Sequence, residues 1–479
     1  MTRALDTFLG RFLLVALLTS FLTVRGTSRP EDVNVRFLKF EEVEETLQLF
    51  AGSGLPGSEI ADPEAWERWI RSQDQQVRAR IDRGVEDSIS NLILYGISYT
   101  NLPRLESTEK ALTESGGLTA EARARVKALI AALEAVSRSE RVQFVRQFLT
   151  RKGIASHRIE TFLTENLERF ANEQRGYQEK LDEAGKAADQ MEVLLTRGTL
   201  YQSRGLSVDT SLLPNYALEN TLQSLVAKGV VAAQIKRIAV IGPGLDFTDK
   251  RDGYDFYPLQ TIQPFAVMEA VLRLKLGNPE DMNVATLDLN PAVNAHISTL
   301  ARNGRAGRAY IVQLPRDTNA DWSPSAVAYW QHFGEILGRR VKPLPVPSTL
   351  GGVMLRAVAI APKYASRLAP LDLDIVAQTA DLTKGEGFDL VVATNVLVYY
   401  ERFQQGLAMA NIARLMNPSG IFLCNTVLPA QHDPQLSYLG RRIVTYSEAR
   451  SYGDDMVVYQ KRCKKTSGRS ASESTRAAR

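Results

Sequence analysis

The feature that most constrains the fold is an alternation of short apolar segments with helix-like segments from residue 234 onward. Residues 236–241 have the composition of a buried strand and run directly into a Gly-Pro-Gly turn at 242–244. Further apolar segments end at Asp288, at Asp381 and just before Asn395. Strands that alternate with helices predict a mostly parallel sheet covered on both faces. The last two segments, RRIVTY and DMVVYQKR, have no helix between them and predict a closing antiparallel hairpin.

Residues 30–230 have a different pattern, with helix start signals and few β-branched runs. Asp62 followed by Pro63, and Thr119 before an alanine-rich segment, are typical of helix N-termini. Trp66 and Trp69 are interpreted as packing residues. The predicted fold class is therefore α/β, with a Rossmann-like sheet preceded by an all-α N-terminal domain.

Composition excludes several classes of protein. The chain has 479 residues, of which 44% are hydrophobic and 23% charged, values typical of a soluble globular protein with two or three domains. A collagen, a disordered protein, a small disulfide scaffold and a polytopic membrane protein are therefore excluded. Cys424 and Cys463 form no CxxC motif and no cluster with histidine, so neither a disulfide framework nor a metal site is predicted.

The net charge is concentrated at the C-terminus. The chain carries +4, but residues 461–479 hold seven Lys/Arg against one Glu, a net of +6, so the remainder is close to −2. A slightly acidic body gives no electrostatic case for a nucleic-acid partner. Residues 464–479 are predicted to be a disordered basic tail.

The N-terminus contains an apolar run at residues 12–24. Its length fits a secretory signal and is short of the ~20 residues that a membrane-spanning helix needs. Residues 1–26 are therefore predicted to be a signal peptide or a membrane anchor, which would leave the protein exported or associated with a membrane through residues 12–24. The alternatives are an inward-facing anchor with a cytoplasmic domain, a buried N-terminal helix, or a misassigned start.

The predicted sheet has candidate ligand-binding residues at the carboxyl ends of its strands, where ligands bind in such folds. Gly242 and Gly244 would let the backbone approach a ligand closely. Phe247 replaces the third glycine of the dinucleotide fingerprint, which argues against a pyrophosphate site. Asp288 can accept hydrogen bonds from two ribose hydroxyls and Asp381 from an adenine amino group, although either residue could also be an ordinary strand-end or turn residue.

The order of these features over residues 234–463 resembles the class I S-adenosylmethionine-dependent methyltransferases. Within that group, the segment NVLVYY at 395–400 and the helix-like segment after it are similar to the chemotaxis-receptor (CheR-type) methyltransferases. TLDLNP at 286–291 is similar to their ribose-binding segment. The chain departs from that pattern in the long loop that follows its first strand and in Ser419, which stands where those enzymes have the first glycine of a pair.

The resemblance implies S-adenosylmethionine as cofactor and a methyltransferase-like domain at 231–463 after a helical domain at 30–230. By this resemblance, Gly242 and Gly244 would lie beside the methionine part of the cofactor, and Asp288 would bind its ribose. Asp381 and Leu382 would bind its adenine, and Asn395 and Val396, at the end of the fourth strand, would line the cofactor.

The sequence leaves the methyl acceptor open, as a small molecule or a protein. A sulfonium carries an activated methyl group, so a carboxylate or thiolate acceptor needs no catalytic base, and no catalytic residue is assigned. Tyr399 and Tyr400 are candidates to face the acceptor, with packing under the sheet as the alternative for one of them. Tyr254 and Tyr257 are candidates to cover the cofactor, with ordinary loop aromatics as the alternative.

Two further expectations concern the insert at residues 318–350 and the function of the chain. The insert at residues 318–350 is predicted to form a wall or lid on the acceptor side. The leading functional hypothesis is S-adenosylmethionine-dependent methyl transfer to an acceptor that the sequence does not identify, with a protein carboxylate as one candidate. The competing hypothesis is a non-catalytic exported or membrane-associated protein whose degenerate methyltransferase fold acts as a binding or interaction module.

Overall fold

The computed structural model describes residues 33–49, 60, 62–137, 139–186, 201, 204–231, 234–248, 254–383, 385–426, 428, 435–449 and 453–463. The predicted signal or anchor at 1–26, with its apolar run at 12–24, and the predicted tail at 464–479 lie outside these residues. The interpretations of both segments stay predictions.

The described residues contain eleven α-helices and twelve strands. The helices α1 to α11 are Phe40–Leu49, Pro63–Tyr95, Ala120–Glu134, Glu140–Arg151, Ile159–Lys186, Leu213–Ala227, Gln263–Arg273, Pro291–Arg305, Pro324–His332, Pro362–Ala365 and Arg402–Leu415. The strands β1 to β12 are Val35–Phe37, Arg237–Ile241, Asn283–Asp288, Tyr310–Asp317, Gly338–Val341, Val353–Ile360, Leu368–Asp372, Gln378–Ala380, Phe388–Ala393, Met416–Cys424, Leu436–Thr445 and Gly453–Lys461.

The central sheet has seven strands in the order β11-β12-β10-β9-β2-β3-β7. Strands β7, β3, β2, β9 and β10 are parallel neighbours, and β12 and β11 complete the sheet as an antiparallel hairpin. The predicted mostly parallel sheet with a closing hairpin is confirmed. From β2 the chain continues to its neighbour β3 on one side of the sheet. From β9 it continues to its neighbour β10 on the opposite side. These connections diverge between β2 and β9, which is where ligands bind in open α/β sheets.

Alternate residues of each strand enter two different cores, because successive side chains of a strand point to opposite faces. Ile238 and Val240 of β2 belong to a core that includes helices α3 to α10. Ala239 and Ile241 belong to a second core, which includes α1, the first half of α2 and α11. Helices from the N-terminal half thus pack on both faces of the sheet.

The N-terminal half is mostly helical, as predicted, but it is not all-α. Strand β1 lies in this half and pairs antiparallel with β8, which lies far along the chain. Helix α2 starts at the predicted cap, where the Asp62 side chain accepts a hydrogen bond from the Ala65 amide. Trp66 and Trp69 pack against each other with ring centroids 5.3 Å apart. The boundary at residue 230 stays a prediction.

The insert between β3 and β7 includes a separate three-stranded antiparallel sheet in the order β4-β6-β5, together with α9. Helix α9 begins after Ser323, whose side chain accepts a hydrogen bond from the Ala326 amide. It packs on α6, where the rings of Tyr329 and Tyr216 lie 5.7 Å apart. In the part of the chain that the structure describes, none of the helices is both long enough and apolar enough to span a membrane.

Candidate functional site

A cleft lies at the carboxyl ends of β2, β3, β7 and β9 and encloses about 830 Å³, its open mouth included. The cleft therefore lies at the divergence point of the strand connections, where the topology favours ligand binding.

The turn after β2 forms one wall and requires glycine at two positions. Gly242 and Gly244 both have φ of +63°, in the left-handed region. A Cβ atom at Gly242 would lie 2.4 Å from Cγ2 of Val396, and one at Gly244 would lie 2.8 Å from the carbonyl oxygen of Val208. Both glycines line the cleft, so the backbone itself forms this surface.

Asp288, the last residue of β3, forms the second wall. Its carboxylate accepts a hydrogen bond from the Asn290 amide at 2.8 Å, and the backbone amides of Gly244 and Leu289 lie near it. Burial raises the pKa of Asp288 to about 6; these backbone donors oppose the rise, and the negative charge of Asp372 adds to it. The glycine turn and the predicted ribose-binding carboxylate therefore line the same cleft.

Asn395 follows β9 and forms the third wall with Val396. Asn395 has φ of +57°, an unusual backbone conformation for a non-glycine residue. Its amide donates to Oδ1 of Asn425, and Nδ2 of Asn425 donates to Oδ1 of Asn395, both at 2.7 Å. This reciprocal pair fixes the turn at the ends of β9 and β10.

Tyr399 and Tyr400 both line the cleft. Burial raises the pKa of Tyr399 to about 12 and that of Tyr400 well above its ordinary value. Both phenols therefore remain protonated at neutral pH, and neither can act as a general base there.

A fourth wall comes from the N-terminal half, from residues 204–210, here called the crossing segment. Leu206 to Thr210 line the cleft, and so does Ile81 of α2. The Arg80 guanidinium donates to the carbonyl oxygens of Arg204 at 2.8 Å and Tyr399 at 3.1 Å, which ties this segment to the turn after β9.

The crossing segment lies directly on the backbone of α2. A Cβ atom at Gly84 would lie 1.8 Å from the carbonyl oxygen of Leu206, and one at Gly205 would lie 2.2 Å from the amide nitrogen of Gly84. Sequence reasoning missed this wall. The available signal was Gly84, because a glycine inside a helix costs about 1 kcal/mol relative to alanine and often marks a close backbone approach.

The expectation that Asp381 ends the third strand of the central sheet is wrong. Asp381 follows β8, which pairs with β1 outside the central sheet, and it accepts hydrogen bonds from Arg36 at 2.7 Å and Asn34 at 3.0 Å. Leu382 lines a small separate cavity with Arg237 and other residues. Because Arg237 is the first residue of β2, that cavity lies at the amino ends of the strands, away from the cleft.

The third parallel strand is β7, which ends at Asp372. Leu373 and Ile375, just beyond it, line the cleft in place of Asp381 and Leu382. Sequence reasoning missed β7 because it preferred the apolar segment that follows it. The run LDLD, which ends an apolar segment in acidic residues as β3 does, was the signal that could have located it.

Two other expected cleft elements lie elsewhere. Tyr254 and Tyr257 are 5% and 4% exposed and do not line the cleft. No residue of the 318–350 insert lines it either, since α9 packs against α6 instead. The role of this insert as a wall or lid on the acceptor side stays a prediction.

The described part of the cleft contains one buried donor that lacks a partner. Asn290 is 7% exposed, and its Oδ1 caps α8 by accepting the Ala292 amide at 2.9 Å. Its Nδ2 has no hydrogen-bond partner. A buried donor of this kind is costly unless a ligand or water pairs with it. Among the described residues, no group of three or more His, Cys, Asp or Glu side chains could hold a metal ion.

No protein-family model and no curated protein matches the chain. Among solved structures, one match is the N-methyltransferase NodS from Bradyrhizobium japonicum WM9 with S-adenosylhomocysteine, at 12% identity over 51% of this chain and 86% of that one, with a TM-score of 0.25. Another is magnesium protoporphyrin IX methyltransferase from Synechocystis PCC 6803 with bound S-adenosylmethionine, at 9% identity over 57% and 85%, with a TM-score of 0.23.

Proposed function

We propose that the chain is an S-adenosylmethionine-dependent methyltransferase and that the cleft binds this cofactor. The observation that carries the proposal is the meeting of two cleft walls: the turn at Gly242 and Gly244, both in the left-handed region, lines the cleft together with the strand-end carboxylate of Asp288. A backbone surface beside a carboxylate suits a ligand that has a ribose next to a slender chain.

The described residues fit such a ligand part by part. Gly242 and Gly244 would lie along the methionine chain, and Asp288 would accept hydrogen bonds from the ribose hydroxyls. Leu373 and Ile375 would pack against the adenine, a role proposed for them in place of Asp381 and Leu382. The unpartnered Nδ2 of Asn290 offers a donor to a ring nitrogen or a ribose oxygen.

Asn395 and Val396 would lie on the side of the sulfonium, because they follow the strand next to β2. The Asn395–Asn425 pair holds this turn in its left-handed conformation. The Val396 side chain occupies the space that a Cβ atom on Gly242 would need. The role of these two residues is to orient the donor and exclude water from it.

A carboxylate is the acceptor class that needs no proton removed by the protein. When bound, S-adenosylmethionine supplies a methyl group activated by its sulfonium, and a carboxylate accepts this group without losing a proton. The two tyrosines of the cleft stay protonated at neutral pH, so they cannot prepare an amine or hydroxyl acceptor by removing its proton. A carboxylate carried by a protein or by a small molecule meets this requirement.

Calorimetry on the full chain tests cofactor binding. We expect S-adenosylmethionine and S-adenosylhomocysteine both to bind, and Asp288→Asn to weaken both by roughly tenfold, the loss of about one charge-assisted hydrogen bond. NAD⁺ is the control ligand and should not bind, because Phe247 replaces the third glycine of the dinucleotide fingerprint. If the wild-type chain binds neither adenosyl ligand, the proposal is wrong.

The acceptor class has its own test. Proteins and small molecules would be incubated with the chain and methyl-labelled S-adenosylmethionine, and the products treated with alkali. A methyl ester releases its label as volatile methanol, whereas a methylated nitrogen keeps it. Alkali-stable label would exclude a carboxylate acceptor while leaving cofactor binding intact.

A further inference from the structure

The charge of the chain is unevenly distributed, and one folded region away from the cleft is strongly basic. Residues 306–367, here called the sheet insert, hold eight Lys/Arg against three Asp/Glu, a net of +5. Because residues 1–460 together carry close to −2, the rest of that range carries close to −7. A basic region on an otherwise acidic body attracts anionic partners to one side of the molecule.

One side of the sheet insert carries both cations and apolar residues. This side, here called the outer face, comprises Ile311, Arg339, Lys342 and Leu344. Ile311 of β4 and Arg339 of β5 both pair with Ala359 of β6, so these side chains lie on the same side of the sheet. The Leu344 amide donates to Oε1 of Gln313 at 3.3 Å, and Gln313 stands two residues beyond Ile311. The segment that follows β5 therefore crosses the same face.

The outer face is open to solvent. Ile311 is 53% exposed and Leu344 is 39% exposed, and Arg339 and Lys342 are exposed as well. Within the described parts of the chain, neither of these two cations takes part in an ion pair. Their positive charges are therefore available to a partner outside the chain.

The acidic residues of the sheet insert do not cancel this charge. Glu335 is bound by Arg340 at 2.5 Å, and Asp321 is hydrogen-bonded to a serine beyond β11. Asp317 stands six residues beyond Ile311 along β4, a distance of roughly 20 Å in an extended strand. The outer face thus remains positive where its apolar residues are exposed.

The composition of the outer face distinguishes between anionic partners. None of its residues lines the cleft or the small cavity at the amino ends of the strands, and small molecules bind in such concave sites. Its exposed apolar side chains are aliphatic, whereas single-stranded nucleic acids stack on aromatic side chains. Cations beside aliphatic side chains fit the boundary between the headgroups and the acyl chains of a membrane.

We infer that the outer face binds the surface of a membrane that contains anionic phospholipids. Arg339 and Lys342 would contact the headgroup phosphates, and Ile311 and Leu344 would enter the layer just below them. This binding is peripheral. It goes beyond the proposed function, because it uses neither the cleft nor the predicted signal or anchor at 1–26.

Vesicle co-sedimentation of the full chain tests this inference. Vesicles of phosphatidylcholine alone would be compared with vesicles in which about one third of the lipid is anionic phosphatidylglycerol. We expect the wild type to prefer the anionic vesicles by roughly tenfold or more, the contribution of about two cations near the surface. Insertion of the apolar run at 12–24 would contribute alike to both vesicles, so the preference reports the charged contacts.

A double variant and a matched control locate the binding face. Arg339→Gln with Ile311→Thr removes one cation and one aliphatic chain from the outer face, and should weaken binding to anionic vesicles by roughly tenfold. Arg441→Gln with Ile443→Thr makes the same chemical change on β11. Ile443 is 65% exposed, but Arg441 is bound to Asp455 at 2.8 Å. The control should therefore change the affinity by less than about twofold.

A second outer-face variant keeps the test open if the strand substitutions impair folding. Lys342→Gln with Leu344→Ser changes the segment after β5 and leaves the strands intact, and it should also weaken binding by roughly tenfold. Circular dichroism checks that each variant is folded. All of them should bind S-adenosylhomocysteine as the wild type does, because none of the changed residues lines the cleft.

Four outcomes overturn the inference. If the wild type shows no preference for anionic vesicles, the outer face does not recognise anionic lipid. If the preference survives in both outer-face variants, another part of the chain carries it. Equal losses in the β11 control would assign the effect to net charge alone. Tighter binding of the wild type to a labelled oligonucleotide than to anionic vesicles, lost in the outer-face variants, would assign the face to nucleic acid instead.

Discussion

Two loops of the molecule hydrogen-bond to each other, yet only one of them lines the cleft. The crossing segment, residues 204–210, forms a wall of it. The other loop, here called the buried loop, comprises the described residues 245–248 and 254–262, and none of these lines the cleft. Leu245 pairs with Asp209 where the two loops meet.

The buried loop is held by side chains of the helical half. The Arg141 guanidinium donates to the carbonyl oxygens of Phe247 at 2.6 Å, Asp246 at 2.8 Å and Tyr257. The Asp255 carboxylate accepts the Ile97 amide at 2.8 Å and the Ser98 hydroxyl at 2.6 Å. A loop bound in this way contributes stability, whereas the crossing segment lines the cleft and would lie beside a ligand bound there.

Replacing Arg141 should have the largest effect. Arg141→Met keeps an unbranched side chain but leaves three buried carbonyl groups without this donor, so the free energy of unfolding should fall by on the order of 3 kcal/mol or more. Denaturant unfolding measures it. Arg151→Met on the same helix is the control, because Arg151 is 56% exposed, and it should cost less than about 1 kcal/mol. Equal losses in the two variants would show that the buried loop is not held as described.

The second-largest effect is expected where the crossing segment packs against Gly84 of α2. Gly84→Ala places a methyl group against the Leu206 carbonyl. It should lower the free energy of unfolding by about 1–3 kcal/mol and weaken S-adenosylhomocysteine binding by roughly tenfold, as measured by unfolding and calorimetry. Gly176→Ala in α5 is the matched control: a Cβ there meets nothing within 4 Å, so it should stabilise by about 0.5–1 kcal/mol and leave binding unchanged. Undiminished binding by folded Gly84→Ala would separate the crossing segment from the cofactor.

The pH dependence of binding sharpens the role of the cleft carboxylates. The pKa of Asp288 is raised to about 6 by burial, and ribose hydroxyls donate to its ionised form. The affinity for S-adenosylhomocysteine should therefore be constant above about pH 7 and fall by up to about tenfold per pH unit below 6, as the carboxyl group takes up one proton. Calorimetry between pH 5 and pH 8, in the range where the chain stays folded, measures this.

Two variants assign that titration. Asp288→Asn should flatten the pH profile. Burial also raises the pKa of Asp374 to about 6, so Asp374→Asn is the necessary control and should keep the slope. If the slope disappears with Asp374→Asn and persists with Asp288→Asn, the ribose assignment is wrong.

The smallest effect belongs to Tyr254 of the buried loop. Tyr254→Phe keeps the buried ring and should change the affinity for S-adenosylhomocysteine by less than about twofold, because Tyr254 does not line the cleft. Calorimetry beside Gly84→Ala gives the direct contrast between the two loops. A fivefold loss of affinity in Tyr254→Phe would mean that the buried loop covers the cofactor after all.

Local signals predicted the elements of the cleft that lie close to one another along the chain. The strand before Gly242, the acid at the end of β3 and the asparagine after β9 each follow from a short apolar run and its terminating residue. The assignment of Asp381 failed because two candidate strand segments, 368–372 and 378–380, stand next to each other. Which of them joins the central sheet depends on pairing with β3 or with β1, and such distant pairing leaves no local trace in the sequence.

The amino-acid sequence alone determined the layer order of the sheet half, the closing hairpin and five of the seven residues expected in the cleft, because periodicity and strand-end residues are local properties. The tertiary structure alone decided that the crossing segment, and not the buried loop, would lie beside those residues in the cleft. Contacts between Gly84 and Gly205, or between Arg141 and Phe247, join positions more than 100 residues apart. Only the folded chain brings such groups together, because loop residues are placed by the elements that anchor them and not by a pattern of their own.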